Sequence, residues 1–566
     1  MEFKKIGDYE IVEKIGAGGM ATVYKGIQTS LNRPVAIKVL SKMMTENKEV
    51  VERFKQEALI IARLTHPHII HIIDRGIIED MHYFVMDYIE GKDFATIIKN
   101  KELDSKRMVD IVVQVCKGLS YAHKNGVIHR DIKPANIIVD REGNGMLMDF
   151  GIAQLRTGHA DGNLTTDGAL MGTMAYMSPE QKTDSGKVSP ATDIYSLGVV
   201  MYEMFTGTKP LGRFKLPSEI NPKFPKPLES VILKCLEQSP EDRYLSADEL
   251  RDELLKMLKG AHIKTEKREQ AFQGITKLED KFSLLDIIKE TPYGTVYMFE
   301  KKENKQLMVI KKIRKRNKGL TESKILSKLS HDNIAKIYGV SGDEKLFIVV
   351  MEYLNGGSLK ERLVRNHTYQ ETLKIGKEIC EGLSFAHKNR VIHGNLRPSN
   401  ILFNESGQVK VSDFGLDDHY TGDAAKANWY YNSNIGQSEK GDVYSVGVIL
   451  YEMLTGAIPS WKENRIAQND IFDLLPGRVQ KVILRMLEHD PAKQYPGIDS
   501  AIDEIGILCR EPEAKEAKKK SRIGIITFLL LCLLLTAGGL YLYMTGNIGF
   551  YMELIENLLK SYGLLK

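Results

Sequence analysis

The 566-residue chain has little cysteine, little tryptophan and almost no imbalance of charge: five Cys, two Trp, and 79 Lys and Arg against 74 Asp and Glu, for a net charge of +5. Cys116, Cys235, Cys380, Cys509 and Cys532 are odd in number, scattered, and never in Cys-x-x-Cys spacing. That pattern excludes a disulfide-framed domain and a zinc site built on cysteine pairs, and the thiols read as reduced and buried. The small net charge gives no compositional argument for nucleic acid, and none is expected as a partner. Residues Met1 to Tyr9 contain no apolar run, so no cleavable signal peptide is expected. Charged residues at 27% and hydrophobic ones at 43% make an ordinary globular balance. The length exceeds what one core holds, so two domains and additional segments are expected.

One long uncharged stretch is present. Residues 523–544 carry no charge and are rich in leucine, long enough at about 1.5 Å per residue to cross about 30 Å of hydrocarbon. A transmembrane helix is expected there. Lys515, Lys518, Lys519, Lys520 and Arg522 precede it in a basic segment, 509–522, which puts the preceding domains in the cytoplasm of a single-pass protein of the cell (inner) membrane. The tail, 545–566, has Tyr551, Leu554, Ile555, Leu558, Leu559 and Tyr562 at helical spacing, as in a short amphipathic helix on the outer face.

The chemistry is concentrated in His129-Arg130-Asp131-Ile132-Lys133-Pro134-Ala135-Asn136, followed by Asp149-Phe150-Gly151. Transfer of a terminal phosphate needs a carboxylate to orient and deprotonate the attacking hydroxyl, and groups that hold metal against the phosphates. Asp131 suits the first task, and Asn136 and Asp149 the second. Lys133 places a compact positive charge on the phosphate in flight. These residues resemble the catalytic and metal loops of eukaryotic-like protein kinases, and in detail the bacterial membrane-anchored Ser/Thr kinases of that type.

The resemblance runs from residue 9 to 258 and implies further roles. Gly16, Ala17 and Gly18 approach phosphate oxygens through their backbone, and Val23 covers an adenine ring; the third glycine of the family pattern is Ala21 here. Ala36 and Lys38 lie on a buried strand, with Lys38 on the α and β phosphates and paired with Glu57 of the next helix. Met86 borders the adenine pocket, and Asp87 to Ile89 form the hinge. Thr173 contacts the catalytic residues, and Ser178-Pro179-Glu180 forms the peptide platform, with Glu180 paired to Arg243. Asp193 begins a buried helix that anchors the catalytic loop. Thr165 and Thr166 stand in the segment expected to be a mobile activation loop. They are candidate autophosphorylation sites, with Arg130 as phosphate receiver.

After a polar linker, 259–280, the pattern repeats over 281–508. Gly294-Thr295-Val296-Tyr297 echoes Ala21 to Tyr24, and Phe385-Ala386-His387-Lys388-Asn389 echoes Tyr121 to Asn125. The repeat departs where chemistry happens. Its loop reads His393-Gly394-Asn395-Leu396-Arg397-Pro398-Ser399-Asn400, so an amide replaces the base and Arg397 replaces Lys133. Lys289 and Thr291 replace the first two glycines, and Gln494 stands where Arg243 is. From Asp413 to Asp442 there are 29 residues, against 44 from Asp149 to Asp193. Lys311, Glu322, Asn400 and Asp413 persist as a second nucleotide site, and the domain reads as a pseudokinase that modulates the first. The basic run Lys311 to Lys318 reads as a solvated turn or, beside a membrane, a contact for anionic lipid.

The expected fold is α+β: two tandem bilobal protein-kinase folds plus one C-terminal transmembrane helix. The expected activity is ATP-dependent phosphorylation of serine and threonine on protein substrates, with Mg2+ or Mn2+ as cofactor, at the membrane. A homodimer is left open. The rival readings are a nucleotide-responsive signalling scaffold and a small-molecule kinase; the intact Asp131 disfavours the first, the peptide platform the second.

Overall fold

Valine- and isoleucine-rich segments at the N-terminal end pair as a six-stranded antiparallel sheet, in the order β1 (Lys5–Ile6), β2 (Tyr9–Ala17), β3 (Ala21–Gln28), β4 (Arg33–Leu40), β6 (Met81–Asp87) and β5 (Ile72–Ile78). The structure is a computed structural model that describes residues 4–18, 21–45, 48–150, 174–183, 187–273, 280–292, 294–314, 330–342, 346–364, 367–414, 436–462 and 465–510. Strand β4 is buried on both faces. Val35, Ile37 and Val39 pack with Tyr9, Tyr24 and Val85 on one side, and Ala36 and Leu40 enter the main core on the other. Because successive side chains alternate, Lys38 falls on the main-core face between Ala36 and Leu40, which turns its amine toward the cleft.

Helix α1 (Lys42–Thr45) is a single turn, and α2 (Lys48–Ile61) lays Val51, Phe54, Ala58 and Ile61 onto that same core at helical spacing. The helical lobe begins with α3 (Phe94–Asn100) and α4 (Ser105–Lys124), whose N-cap Asp104 accepts from the Arg107 amide. A small sheet, β7 (Gly91–Asp93), β8 (Ile137–Asp140) and β9 (Gly145–Leu147), carries the loop 129–136 on one side and Asp149 on the other. Helices α5 (Pro179–Thr183), α6 (Pro190–Thr206), α7 (Lys226–Cys235) and α8 (Ala247–Leu258) complete the lobe.

The stretch expected as a linker contains α9 (Thr265–Phe272), whose Ala271 and Phe272 are buried against Leu284, Tyr297 and Phe299 of the following sheet. That sheet has β10 (Phe282–Thr291), β11 (Gly294–Lys301), β12 (Leu307–Arg314), β14 (Leu346–Glu352) and β13 (Ile337–Gly342) in antiparallel order. Beyond it lie the hairpin β15 (Ile401–Phe403) and β16 (Val409–Val411), and helices α10 (Tyr369–Lys388), α11 (Glu439–Thr455) and α12 (Gly477–Met486). Lys312, in the basic run, turns to the C-terminal carbonyls of α9, bonding Gln270 O at 3.0 Å and Gln273 O, and burial lowers its pKa to about 8. The rest of the run past Arg314 lies outside the described residues. Cys116, Cys235 and Cys380 are buried free thiols, as expected, whereas Cys509 is a partly exposed one; Cys532 lies outside the described residues.

The expected architecture requires correction. Among the described residues no helix is long and apolar enough to cross a membrane. The most thoroughly buried helices, α6 and α11, have 17 residues each and carry Asp193, Glu203 and Asp442, short of the roughly 20 apolar residues a span needs. Residues 523–544, the basic segment and the tail lie outside the described residues, and the single-pass membrane location falls with the span. The described part of the second unit is a sheet followed by helices, without 315–329 or 415–435, so a second complete bilobal fold is not established by it.

The two units are joined by buried charge. Arg251 on α8 bonds Asp252 Oδ1 through Nε at 2.9 Å and Nη2 at 2.7 Å, and also meets Asp248 and the Tyr353 hydroxyl; Tyr353 in turn donates to Asp252 at 3.1 Å. Lys117 on α4 pairs with Asp286 on β10 at 2.7 Å, and Asn125 Nδ2 donates to Glu361 O at 2.9 Å. Gly260 makes the turn out of α8 at φ 71°, where a Cβ would fall 2.6 Å from Leu284 O, so glycine is required both by the backbone and by the approach of the second unit. Arg251→Met leaves Asp252 buried without its cation, with Asp248 held by Lys124 alone, and is expected to lower stability by about 3–5 kcal/mol; urea denaturation of the two chains measures it, and a loss under about 1 kcal/mol would mean that the joint does not depend on this cluster.

Candidate active site

The catalytic loop is suspended from one carboxylate. Asp193, wholly buried at the start of α6, accepts from the His129 amide at 2.8 Å, the Arg130 amide at 2.7 Å and His123 Nε2 at 2.7 Å. Burial by itself raises its pKa, but the His123 hydrogen bond, the nearby imidazole charges and the Arg130 amide outweigh it and leave the pKa below the ordinary value. His129, also buried, hydrogen-bonds Met148 O at 3.0 Å and stacks 4.4 Å from Phe150, tying the loop to the Asp149 segment. Burial lowers its pKa from the ordinary histidine value, against the pull of Asp193 and Asp131. Arg130 and Asp149 occupy the left-handed region, at φ 67° and 55°. That conformation is rare for residues other than glycine, and at Arg130 it is held by the Asp193 clamp.

Within this frame Asp131, Lys133 and Asn136 converge. Lys133 Nζ donates to Asp131 Oδ2 at 2.8 Å, and Asn136 Nδ2 donates to Asp131 O at 2.8 Å and to Oδ2 at 2.9 Å. Across the cleft Lys38 Nζ bonds Asp149 Oδ1 at 2.7 Å. Strand register sets Val23 opposite Lys38 and Ala36 opposite Met86, and Val23, Ala36, Met86 and Ile89 belong to or pack on one apolar core, with Asp87 ending the strand. Gly16 and Ala17 pair with Val23 and Thr22, and the Gly18 amide donates to Ala21 O at 2.9 Å, closing the hairpin.

Other expected residues fall elsewhere. Glu57 lies on α2, but its side chain is outside what is described, as are Thr165, Thr166, Thr173 and, in the second unit, Glu322. The Glu180–Arg243 pair is present and bidentate, with Nη1 on Oε1 at 2.8 Å and Nη2 on Oε2 at 2.9 Å. Arg243 also donates to the carbonyls of Ala191, Glu237 and Gln238. Two contributors were not assigned from the sequence: His123, and Gln181, whose Nε2 donates to Arg130 O at 2.8 Å. His123 had a signal, since it recurs as His387 in the repeat, where it meets Asp442 at 2.8 Å.

In the second unit Asp442 accepts from the His393 and Gly394 amides at 2.8 and 2.9 Å. The left-handed position of Arg130 is taken by Gly394, at φ 71°. Lys311 meets Asp413, and Asn400 Nδ2 reaches Asn395 O at 2.9 Å, but no carboxylate stands at the base position. Gln494, in place of Arg243, donates to Met486 O at 2.9 Å.

A buried aspartate, a suspended loop carrying Asp131, Lys133 and Asn136, and Lys38 facing Asp149 make the frame of a phosphotransferase of the kinase type. The chain belongs to the protein kinase domain family, which matches residues 9–259 and 283–508. Members of that family use ATP and a divalent metal. It is 41% identical over 261 residues to a protein of Clostridium acetobutylicum named a probable serine/threonine-protein kinase, covering 44% of this chain and 39% of the relative. It is 36% identical over 265 residues to the serine/threonine-protein kinase PrkC of Bacillus subtilis, covering 44% and 40%. The chain thus spans about two fifths of the length of these curated relatives. The solved kinase domain of Mycobacterium tuberculosis PknI matches 44% of the chain and 96% of its own at 29% identity, with a TM-score of 0.37.

Hydrogen bonds and charge from Arg243 outweigh burial and bring the Glu180 pKa down to about 2. A depressed carboxylate stabilises the fold above its unfolded pKa, and that contribution is lost as pH falls from about 4.5 through the folded value. Glu180→Gln is therefore expected to cost about 3 kcal/mol near neutral pH and progressively less below pH about 4; denaturant melts across pH 7 to 3 measure it, and a pH-independent difference would discount the ion pair.

Proposed function

We propose that residues 9–258 transfer the γ-phosphate of ATP to serine or threonine of protein substrates, and that residues 281–508 are a pseudokinase that modulates this activity. The observation that carries the reading is the cluster of Asp131, Lys133 and Asn136, bonded at 2.8–2.9 Å on the loop held by Asp193. Asp131 Oδ1 takes no part in those bonds and is the oxygen left to orient a substrate hydroxyl and receive its proton. Lys133 neutralises charge on the phosphate as it passes, and Lys38, held against Asp149, meets the α and β phosphates.

The donor set fits a divalent metal. The Asn136 amide nitrogen is committed to Asp131, leaving its carbonyl oxygen for a cation, and Lys38 bonds one oxygen of Asp149, leaving the other. Hard oxygen donors of this kind suit Mg2+, and Asn136 and Asp149 would hold it. When bound, Mg-ATP supplies the transferable phosphoryl group and the charge that draws electron density from it. Arg130 supports control by phosphorylation: among the described residues its Nη1 is buried without a hydrogen-bond partner, a place for a phosphate on Thr165 or Thr166.

Pseudokinase character rests on Asn395, an amide that cannot serve as base, and on a route for its influence through the Arg251–Tyr353 joint. Asp131→Asn is expected to reduce transfer from labelled ATP by about 10²–10⁴-fold, whereas Asp413→Asn leaves transfer in place. Loss of all transfer with the Asp413 change alone would reassign catalysis to the second unit.

A further inference from the structure

Under the second sheet lies a cavity of about 570 Å3 with an apolar end and a cationic end. Val309 and Met351, both buried, form one apolar patch with Val296 and Leu354 where β14 runs out toward Tyr353. At the other end stand Lys289, Lys311, Lys360 and Arg397. The corresponding residues of the first unit are Gly16, Lys38, Ala95 and Lys133, and Asn395 replaces the carboxylate of Asp131. The repeat has therefore gained two lysines and lost one carboxylate around the same volume. Among the described residues the acids of the wall are matched by cations: Asp248 and Glu361 by Lys124, Asp286 by Lys117, Glu352 by Lys410, and Asp413 by Lys311.

The oxygens that would hold metal in the first unit are engaged in the second. Lys311 Nζ bonds both oxygens of Asp413, at 2.6 and 2.7 Å, whereas Lys38 takes only one of Asp149. Asn400 Oδ1 accepts from Ser399 Oγ at 3.2 Å, and the matching residue of the first unit, Ala135, has no donor to offer. Mg2+ demands a near-octahedral set of oxygens and gives up its waters reluctantly, so a site whose two protein oxygens are already bonded is a poor host for it. Cations grouped without a metal favour a polyanion by the same Coulomb attraction a metal would supply. Partial burial, and next the charges of Lys360 and Arg397, hold the Lys289 pKa below the ordinary lysine value, a direction that an anion in the cleft reverses.

We propose that the cleft of the second unit binds a nucleoside polyphosphate without a divalent metal, its base against Val296, Val309 and Met351 and its phosphates neutralised by Lys289, Lys311, Lys360 and Arg397. The ligand is held and not turned over, since Asn395 offers no base. Tyr353, at the base end of the cavity, is the residue that bonds Arg251 and Asp252 of the first unit, so the occupied cleft bears directly on the joint. The proposal stands whether or not the first unit is the catalyst.

The test is titration of a fluorescent ATP analogue into the full chain carrying Lys38→Met, which weakens the first cleft, in EDTA and in Mg2+. The expected result is one equivalent bound in both, with dissociation constants within about threefold. Weakening by about tenfold or more on chelation overturns the proposal. Adding Lys289→Met and Lys360→Met is expected to weaken binding in EDTA at least about tenfold, and an unchanged affinity in a variant with wild-type circular dichroism overturns it. Adenosine and inorganic triphosphate are each expected to bind at least about tenfold more weakly than ATP; either one matching ATP overturns the assignment of a nucleoside polyphosphate. The chelation comparison involves no substitution in the second unit, so misfolding of the double lysine variant does not remove it.

Discussion

A single buried carboxylate, Asp193, fixes the loop that presents Asp131, Lys133 and Asn136 to the cleft. A charge with no solvent exposure survives only where hydrogen bonds replace its water, and Asp193 obtains them from two successive loop amides and an imidazole. Those bonds leave the loop one conformation. Arg130 is forced into the left-handed region, His129 is turned inward onto Met148 O and Phe150, and Asp131 is presented to the cleft. A flexible loop could bring the same groups together only by losing conformational entropy at each turnover, whereas a clamped loop is already arranged.

The second unit shows how separable this frame is from the chemistry. Asp442 repeats the clamp almost bond for bond, with His387 in the place of His123. Yet the groups it presents are Asn395 and Arg397. Keeping the clamp preserves the fold of the loop, because a buried aspartate deprived of its donors would destabilise the lobe; exchanging the presented residues alters only what the cleft can do. The substitution of Arg130 by Gly394 follows the same logic, since glycine adopts the left-handed backbone without cost. Where the Glu180–Arg243 pair is lost, Gln494 turns its amide nitrogen to the Met486 carbonyl, a neutral bond in place of a buried guanidinium.

The joint between the units obeys the same constraint. Arg251, Asp248, Asp252 and Tyr353 are a polar cluster at the contact between the units, acceptable because each charge has a partner. Its composition makes the contact specific to one setting, since sliding α8 along the second unit would strand these charges. The expected linker contributes as well: α9 buries Ala271 and Phe272 on the second sheet and satisfies its own last carbonyls through Lys312.

Much of the site was readable in advance. Asp131, Lys133, Asn136 and Asp149 are short-range motifs whose spacing alone requires a loop, and the alternation around Lys38 in Val35-Ala36-Ile37-Lys38 gave its direction because side chains in a strand alternate. Glu180 with Arg243 was legible because two opposite charges recur in a family pattern. The membrane span was the misreading to correct: hydropathy reports composition, and among the described residues no helix meets the length and apolarity a bilayer requires. What the sequence by itself determined is which side chains each unit offers, since the identity of a carboxylate, an amide or a lysine is local and needs no neighbour. What only the tertiary structure decided is which groups are already engaged. His123 and Gln181 as loop supports, Lys311 closing both oxygens of Asp413, and Arg251 reaching Tyr353 all join residues far apart in the chain, and a hydrogen bond depends on a distance that no sequence interval encodes.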